Sequence, residues 1–331
     1  MSGGAPYGPG QAEESVRRVR IPAKNELDTA SGGQVRREGR RRGARRGAAD
    51  PGVELLTRVC AGELLEAFGL DRRNRLVEPA GRLAARGVAR KAARYDRLVG
   101  ERGLGAGGRW ALGEATRSAT FRGVRAVPTE GPLIVVSNHP GLSDTLALFA
   151  AIPRDDLMVI AARRDFLDAL PNTRKRLFVL DDGEAAGRTG GLGVVRSATR
   201  HLRDGGALLT FPGGRIEPDP AEPSEVAGAL ASVERWRGNV ELFARLVPEA
   251  RVVPALVRGV LSRRALRNPL VYLRRGERER LWLAATLQML SPRLHPADVR
   301  VDFARPVEGG SPGEVAEAVL RHMRSAILST G

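Results

Sequence analysis

His139 and Asp144, five positions apart, are the residues whose types and spacing best suit acid–base chemistry. The stretch Leu133-Ile-Val-Val-Ser137 has the β-branched pattern of a buried strand, and Asn138-His139-Pro140-Gly141 cannot continue it. Ser143 or Asp144 can then cap an apolar helix over 145–152. The imidazole is thus delivered at a strand end and the carboxylate at a helix start. A carboxylate folded beneath the ring accepts the proton of one nitrogen, fixes the tautomer and leaves the other nitrogen as a base. A second candidate group, Phe211-Pro212-Gly213-Gly214-Arg215, follows the apolar run at 206–210. There proline fixes the entry to a turn, two glycines permit close backbone approach, and Arg215 can fork onto a phosphate.

The elements that must position these groups are legible from periodicity. The pattern predicts strands at 121–127, 133–137, 157–161, 177–180, 207–211, 251–257 and 299–303. Helices are expected between them, notably at 191–203, 225–236, 278–290 and 313–328. Strands alternating with helices argue for an α/β domain over 121–331, a mixed, largely parallel sheet covered by helices. A small helical region over 51–120 precedes it. Its first stripe is Leu55, Val59, Leu64, Leu65 and Phe68. Leu76, Leu83, Val88 and Leu98 continue through an Ala/Arg-rich stretch that ends in the glycines of 103–108, and a further short helix is expected at 110–120. Residues 1–50 carry little apolar content and an arginine run from Arg36 to Arg46, the composition of a disordered basic arm.

Three segments in order carry a resemblance. The Asn-His-x4-Asp turn is followed about seventy residues later by Phe-Pro-x-Gly, and about forty further by the strand Arg251-Val-Val-Pro254-Ala-Leu-Val257. Together they resemble the glycerolipid acyltransferase family, whose type member acylates lysophosphatidic acid; the resemblance spans roughly residues 120–305. It implies direct transfer of an acyl group from acyl-CoA or acyl carrier protein to the hydroxyl of a lysophospholipid, lysophosphatidic acid by default. His139 would be the general base and Asp144 its orienting carboxylate. Substrate contacts would come from Asn138, Phe211, Pro212, Gly213, Gly214 and Arg215. No cofactor or metal is implied beyond the acyl carrier itself. The chain also departs from the family pattern. After the proline the family has glutamate and then Gly-Thr; here stand Gly213, Gly214 and Arg215, and the nearby acid is Glu217. In the intervening motif, Phe178-Val-Leu-Asp181-Asp182, an aspartate stands where the family has arginine, with Arg174 and Arg188 as candidates to replace it in space.

Composition narrows the partners. A net charge of +16 over 331 residues and a pI near 11.3 imply an anionic partner such as acidic phospholipid, phosphorylated metabolite or nucleic acid. Cys60 is the sole cysteine, which points to a reducing compartment and a small buried hydrophobe. The first residues lack the apolar core of a signal peptide. Residues 133–153 hold no Lys or Arg, yet Asp144 lies among them, and an aspartate costs about 2.5–3.5 kcal/mol at the centre of a membrane helix. The expectation is a cytoplasmic protein, peripheral on the inner face of an anionic membrane. Residues 262–275 mix apolar and cationic side chains with Trp282 nearby, which suits either a lipid interface or a packed helix pair with a solvated basic rim.

Other chemistries fit poorly. The glycine-rich run 187–193 lacks the Gly-Lys-Ser/Thr of a P-loop, and no Gly-x-Ser-x-Gly elbow or metal-ligand cluster occurs. The alternative reading is a basic protein that binds nucleic acid or an anionic surface through a non-catalytic α/β scaffold. It accounts for the charge and the arm. With 4% aromatic residues and no nucleic-acid motif, it leaves His139, Asp144 and the turn at Phe211 unexplained, so nucleic acid is not the favoured partner.

Overall fold

The computed structural model describes residues 17–19, 51–71, 77–181, 187–296 and 298–329. Eight strands form one sheet: β1 (Arg17–Val19), β2 (Ala119–Arg122), β3 (Leu133–Ser137), β4 (Met158–Ala162), β5 (Leu177–Leu180), β6 (Ala207–Thr210), β7 (Arg251–Arg258) and β8 (Val299–Phe303). Their order is β1-β2-β8-β7-β3-β6-β4-β5. The run from β7 to β5 is parallel throughout. β8 runs antiparallel to β7 and parallel to β2, and β1 closes the edge antiparallel to β2. The sheet is therefore mixed and largely parallel, as the alternating pattern predicts. Parallel pairing carries the loops that follow β3, β4, β6 and β7 to one edge of the sheet, where ligands of open α/β sheets are bound.

Helices α1 (Pro51–Ala67), α2 (Glu78–Ala115), α3 (Ser143–Ala151), α4 (Gly187–Arg203), α5 (Val226–Glu234), α6 (Arg237–Leu246), α7 (Glu277–Leu290) and α8 (Pro312–Leu328) surround the sheet, with α1 packed on α2 and α7 packed on both of them. The central strand β3 is buried on both faces. Leu133 and Val135 join the core under α2 and α3, while Ile134 and Val136 join the core formed with α5, α6 and α8. A strand enclosed on two sides reads as a continuous apolar run, which is why Leu-Ile-Val-Val stood out. Among the described residues no helix is long and apolar enough to cross a membrane.

The helical region differs from its expected packing. Leu55 and Leu83 are exposed, at 43% and 68%. Leu64 and Leu65 are buried as expected, joined in α1 by Leu56, Cys60 and Ala61, and the buried stripe of α2 runs through Ala85, Ala89 and Ala92. Small alanines let the two helices approach closely, and the leucines beside them face water. Burial pushes the Cys60 thiol up to about 11, so it behaves as a small hydrophobe. The helix is interrupted within the glycines of 103–108, as expected. Gly103 breaks it at φ 80°, and the chain resumes helical form to Ala115. Gly108 then lies against α3: a Cβ there would sit 2.6 Å from the Phe149 Cβ and 2.9 Å from the Ala150 nitrogen. Glycine at this crossing seats α2 directly on the helix that carries Asp144.

Two further differences have local causes. β2 stops at Arg122 because Gly123 turns the chain at φ 69°, where a Cβ would fall 2.2 Å from the Phe303 carbonyl oxygen. Within the segment expected to be a disordered arm, residues 17–19 form the edge strand β1; the remainder of that arm lies outside the described residues.

Candidate active site

The loop leaving β3 carries His139 to the sheet edge, and the start of α3 returns Asp144 beneath it. His139 Nδ1 lies 2.7 Å from Asp144 Oδ2. The same oxygen accepts the Gly141 amide at 3.0 Å. Asp144 Oδ1 accepts the Thr145 amide and, at 3.1 Å, its hydroxyl. Asp144 is fully buried, whereas the His139 side chain is 25% exposed. Asp144 is not a helix cap in the sense expected: α3 already starts at Ser143, and the carboxylate folds back within the first turn. An acceptor-only carboxylate makes Nδ1 the protonated nitrogen and Nε2 the basic one. Nε2 has no hydrogen-bond partner among the described residues. Burial lowers the imidazole's affinity for a proton, but Asp144 and, less strongly, Glu217 outweigh it, so its pKa lies above the ordinary 6.5.

The turn after β6 supplies the wall of the site. The Phe211 ring stacks on the imidazole with centroids 4.6 Å apart and planes at 29°. The Gly214 amide donates to the Phe211 carbonyl at 3.0 Å and closes the turn, with Gly214 at φ 64°. Pro212 is buried, and its carbonyl accepts from Asn239 Nδ2 at 2.6 Å. Gly213 borders a carboxylate: a Cβ on it would lie 2.3 Å from Glu217 Oε1. Arg215 is exposed and without a partner among the described residues. Leu142 and Ile216, on these same two loops, leave apolar side chains 48% and 43% exposed.

Asn138, which the resemblance implies to be a substrate contact, is bonded to the neighbouring strand. It is 4% exposed. Its Nδ2 donates to the Val257 carbonyl at 2.7 Å and its Oδ1 accepts the Val257 amide at 2.7 Å. Each end of the amide thus makes a bond to β7, so Asn138 anchors the loop to the neighbouring strand.

Of the two candidate replacements for the missing arginine, Arg174 is paired with a carboxylate. Asp181 pairs with Arg163, which leaves the end of β4 and also reaches Asp168 at 3.0 Å. Arg174 is held by Asp168 at 3.1 Å. The Arg188 side chain lies outside the described residues.

Two buried acids were not foreseen as parts of the site. Glu217 accepts the backbone amide of His139 at 3.0 Å. Asp219 accepts the amides of Gly259 at 3.0 Å and Val260 at 2.7 Å, pinning the loop after β7. That loop abuts Gly141, where a Cβ would meet Val260 Cγ1 at 2.8 Å. In sequence Glu217 stands out as the acid nearest the missing glutamate, whereas Asp219 has only its setting, Ile216-Glu217-Pro218-Asp219-Pro220. Among the described residues no three or more His, Cys, Asp or Glu gather in a way that could hold a metal ion.

The chain matches no protein-family model, and no curated protein matches it. Among solved structures it is similar to the 1-acyl-sn-glycerophosphate (LPA) acyltransferase PlsC from Thermotoga maritima. Identity is 16%, the match covers 84% of this chain and 92% of that one, and the TM-score is 0.40. A likeness this distant carries no residue role from one chain to the other, and the chemistry below rests on the geometry of this site.

Proposed function

We propose that this protein transfers an acyl group from a thioester, acyl-CoA or acyl carrier protein, to the hydroxyl of a lysophospholipid, with lysophosphatidic acid the first acceptor to try. The observation that carries the reading is the pair itself: a partly exposed imidazole, its Nδ1 held at 2.7 Å by a fully buried carboxylate. That arrangement is a general base, and among the described residues no serine or cysteine is hydrogen-bonded to Nε2; in this reading the acceptor hydroxyl is the nucleophile. His139 Nε2 takes the proton of the acceptor hydroxyl as its oxygen attacks the thioester carbonyl. The tetrahedral intermediate collapses, the C–S bond breaks, and the departing thiolate recovers the proton from the imidazolium. Asp144 stabilises that imidazolium without becoming protonated. Arg215, exposed beyond the turn, is the cation offered to the acceptor phosphate.

We propose further that the protein works at the surface of an anionic membrane, on its cytoplasmic side. In the 3-10 turn Pro269–Leu273, Val271 is buried against α7, while Leu270, Tyr272 and Leu273 are exposed at 44%, 68% and 63%. Exposed Arg264, Arg267 and Arg275 flank them without partners among the described residues. Apolar and tyrosine side chains ringed by cations suit a headgroup layer rather than bulk water.

The test incubates purified protein with labelled acyl-CoA and a panel of lysophospholipids, identifies products by mass spectrometry, and runs His139→Ala beside it. Acylated product that depends on His139 supports the reading. Equal product from a folded His139→Ala protein ends it.

A further inference from the structure

Glu217 is the most enclosed acid that touches the catalytic loop from another part of the chain. It is 4% exposed. Its Oε2 accepts the His139 amide at 3.0 Å, and its own amide donates to the His139 carbonyl at 2.9 Å. The backbone of one residue is therefore gripped on both sides by another 78 positions away. The second oxygen, Oε1, accepts Trp236 Nε1 at 2.9 Å and the hydroxyl of Ser232. Trp236 and Ser232 are 0% and 1% exposed, so the carboxylate is anchored in the core at the end of α5. It also fills the space beside Gly213, where any Cβ would collide with it.

We infer that Glu217 is the positioning residue of His139: it ties the loop after β3 to the turn after β6 and to α5, so that the imidazole meets Asp144 and Phe211 together. The chemistry of its partners requires a carboxylate. The His139 amide, the Trp236 indole and the Ser232 hydroxyl all approach as donors, and an amide side chain would turn its own N–H2 toward one of them. A neutral residue of the same shape therefore cannot make the same set of bonds. The charge matters as well, since the imidazolium formed during proton transfer is influenced by Asp144 on α3 and by Glu217 on the neighbouring loop.

The inference rests on the acyl-transfer reading for its kinetic arm only. The direct measurement is the titration of His139 by NMR, with four histidines in the chain and His139→Ala to assign the signal. Glu217→Gln, folded by circular dichroism, should move that titration down by about half a pH unit or more. It should also lower kcat by about 10–100-fold with the donor KM unchanged, the expected result of displacing a reacting group by about 1 Å. Glu217→Asp keeps the charge and draws it back by one methylene; it should restore most of the titration and only part of kcat. An unchanged His139 titration and kcat in folded Glu217→Gln overturns the inference. Where Glu217→Gln does not fold, wild-type kcat in Glu217→Asp overturns it instead. A shifted titration in a protein that acylates nothing would leave Glu217 in this role and remove only the acyl-transfer reading.

Discussion

Replacing Asp144 by asparagine separates the charge of the carboxylate from its shape. The two oxygens take four donors in pairs: His139 Nδ1 and the Gly141 amide on Oδ2, the Thr145 amide and hydroxyl on Oδ1. An asparagine has one oxygen, so its N–H2 must face one pair. Turned toward His139, it forces Nδ1 to accept and leaves the proton on Nε2, the nitrogen that has to act as base. Turned toward Thr145, it opposes two donors at the first turn of α3. Hydrogen bonds to a charged group contribute about 1.5–3 kcal/mol each, so either choice also lowers stability by several kcal/mol. The plateau of kcat/KM should fall by about 10²–10⁴-fold, the range general-base catalysis supplies. The pH profile gives the sign test. In the wild type the neutral imidazole accumulates as pH rises through a value above 6.5, so the acid limb of kcat/KM lies above 6.5. Without Asp144, burial is the largest influence left and only Glu217 opposes it, so His139 should titrate below 6.5. Activity against pH, with NMR titration of His139, reads both effects. A folded variant whose plateau rate or His139 titration matches the wild type would refute the assignment of Asp144 as the orienting carboxylate.

Asn138→Ala leaves the amide and carbonyl of Val257 without their partner. At about 1–3 kcal/mol per unsatisfied buried group, thermal unfolding should show a clear loss of stability with substrate KM little changed; a raised KM at full stability would mean that Asn138 meets substrate after all. Gly213→Ala brings a Cβ to 2.3 Å from Glu217 Oε1, so the carboxylate must leave its place against the His139 amide and kcat should drop. Wild-type kcat in that variant would show that the turn yields instead. Arg215→Ala should raise the acceptor KM about tenfold or more, the equivalent of one charge-assisted contact, and leave the donor KM alone. The reverse pattern would place Arg215 on the donor side.

Much of the scaffold is legible because burial on two faces leaves a strong mark. Strands such as β3 and β7 are apolar without interruption, and the Asn138–Gly141 break after β3 reads at once as a chain end carrying chemistry. The pairing of His139 with Asp144 is local, five residues apart, so spacing suffices to propose it. What spacing cannot reveal is contact across the sheet. Asn138 looks like a polar residue free to bind substrate until β7 is laid parallel to β3 with Ser137 opposite Ala255, which puts Val257 within reach of its amide. Arg17–Val19 has no apolar alternation to announce a strand; its place comes from backbone pairing with the open edge of β2. Leu83 faces water because close helix packing selects the alanines one face over, and Leu55 because its neighbour Leu56 takes the buried position.

The departures from the acyltransferase pattern are the harder case, because in sequence they are separate anomalies and in space they are coupled. Gly213 stands where the resemblance calls for glutamate, and a carboxylate from Glu217 fills the volume that a side chain at 213 would need. With the acid arriving from four positions downstream, glycine is the residue that leaves room for it. Asp181 stands where the resemblance calls for arginine, and it faces Arg163 delivered by the adjacent parallel strand. That pair uses the carboxylate to hold a guanidinium at the same sheet edge, so the cation comes from β4 instead of β5. Arg163 is also tied to Asp168, however, and a guanidinium shared between two carboxylates has little charge left for a phosphate. Under the proposed function, exposed Arg215, with no carboxylate of its own among the described residues, is then the cation left for an acceptor phosphate, and its substitution is expected to separate acceptor from donor binding.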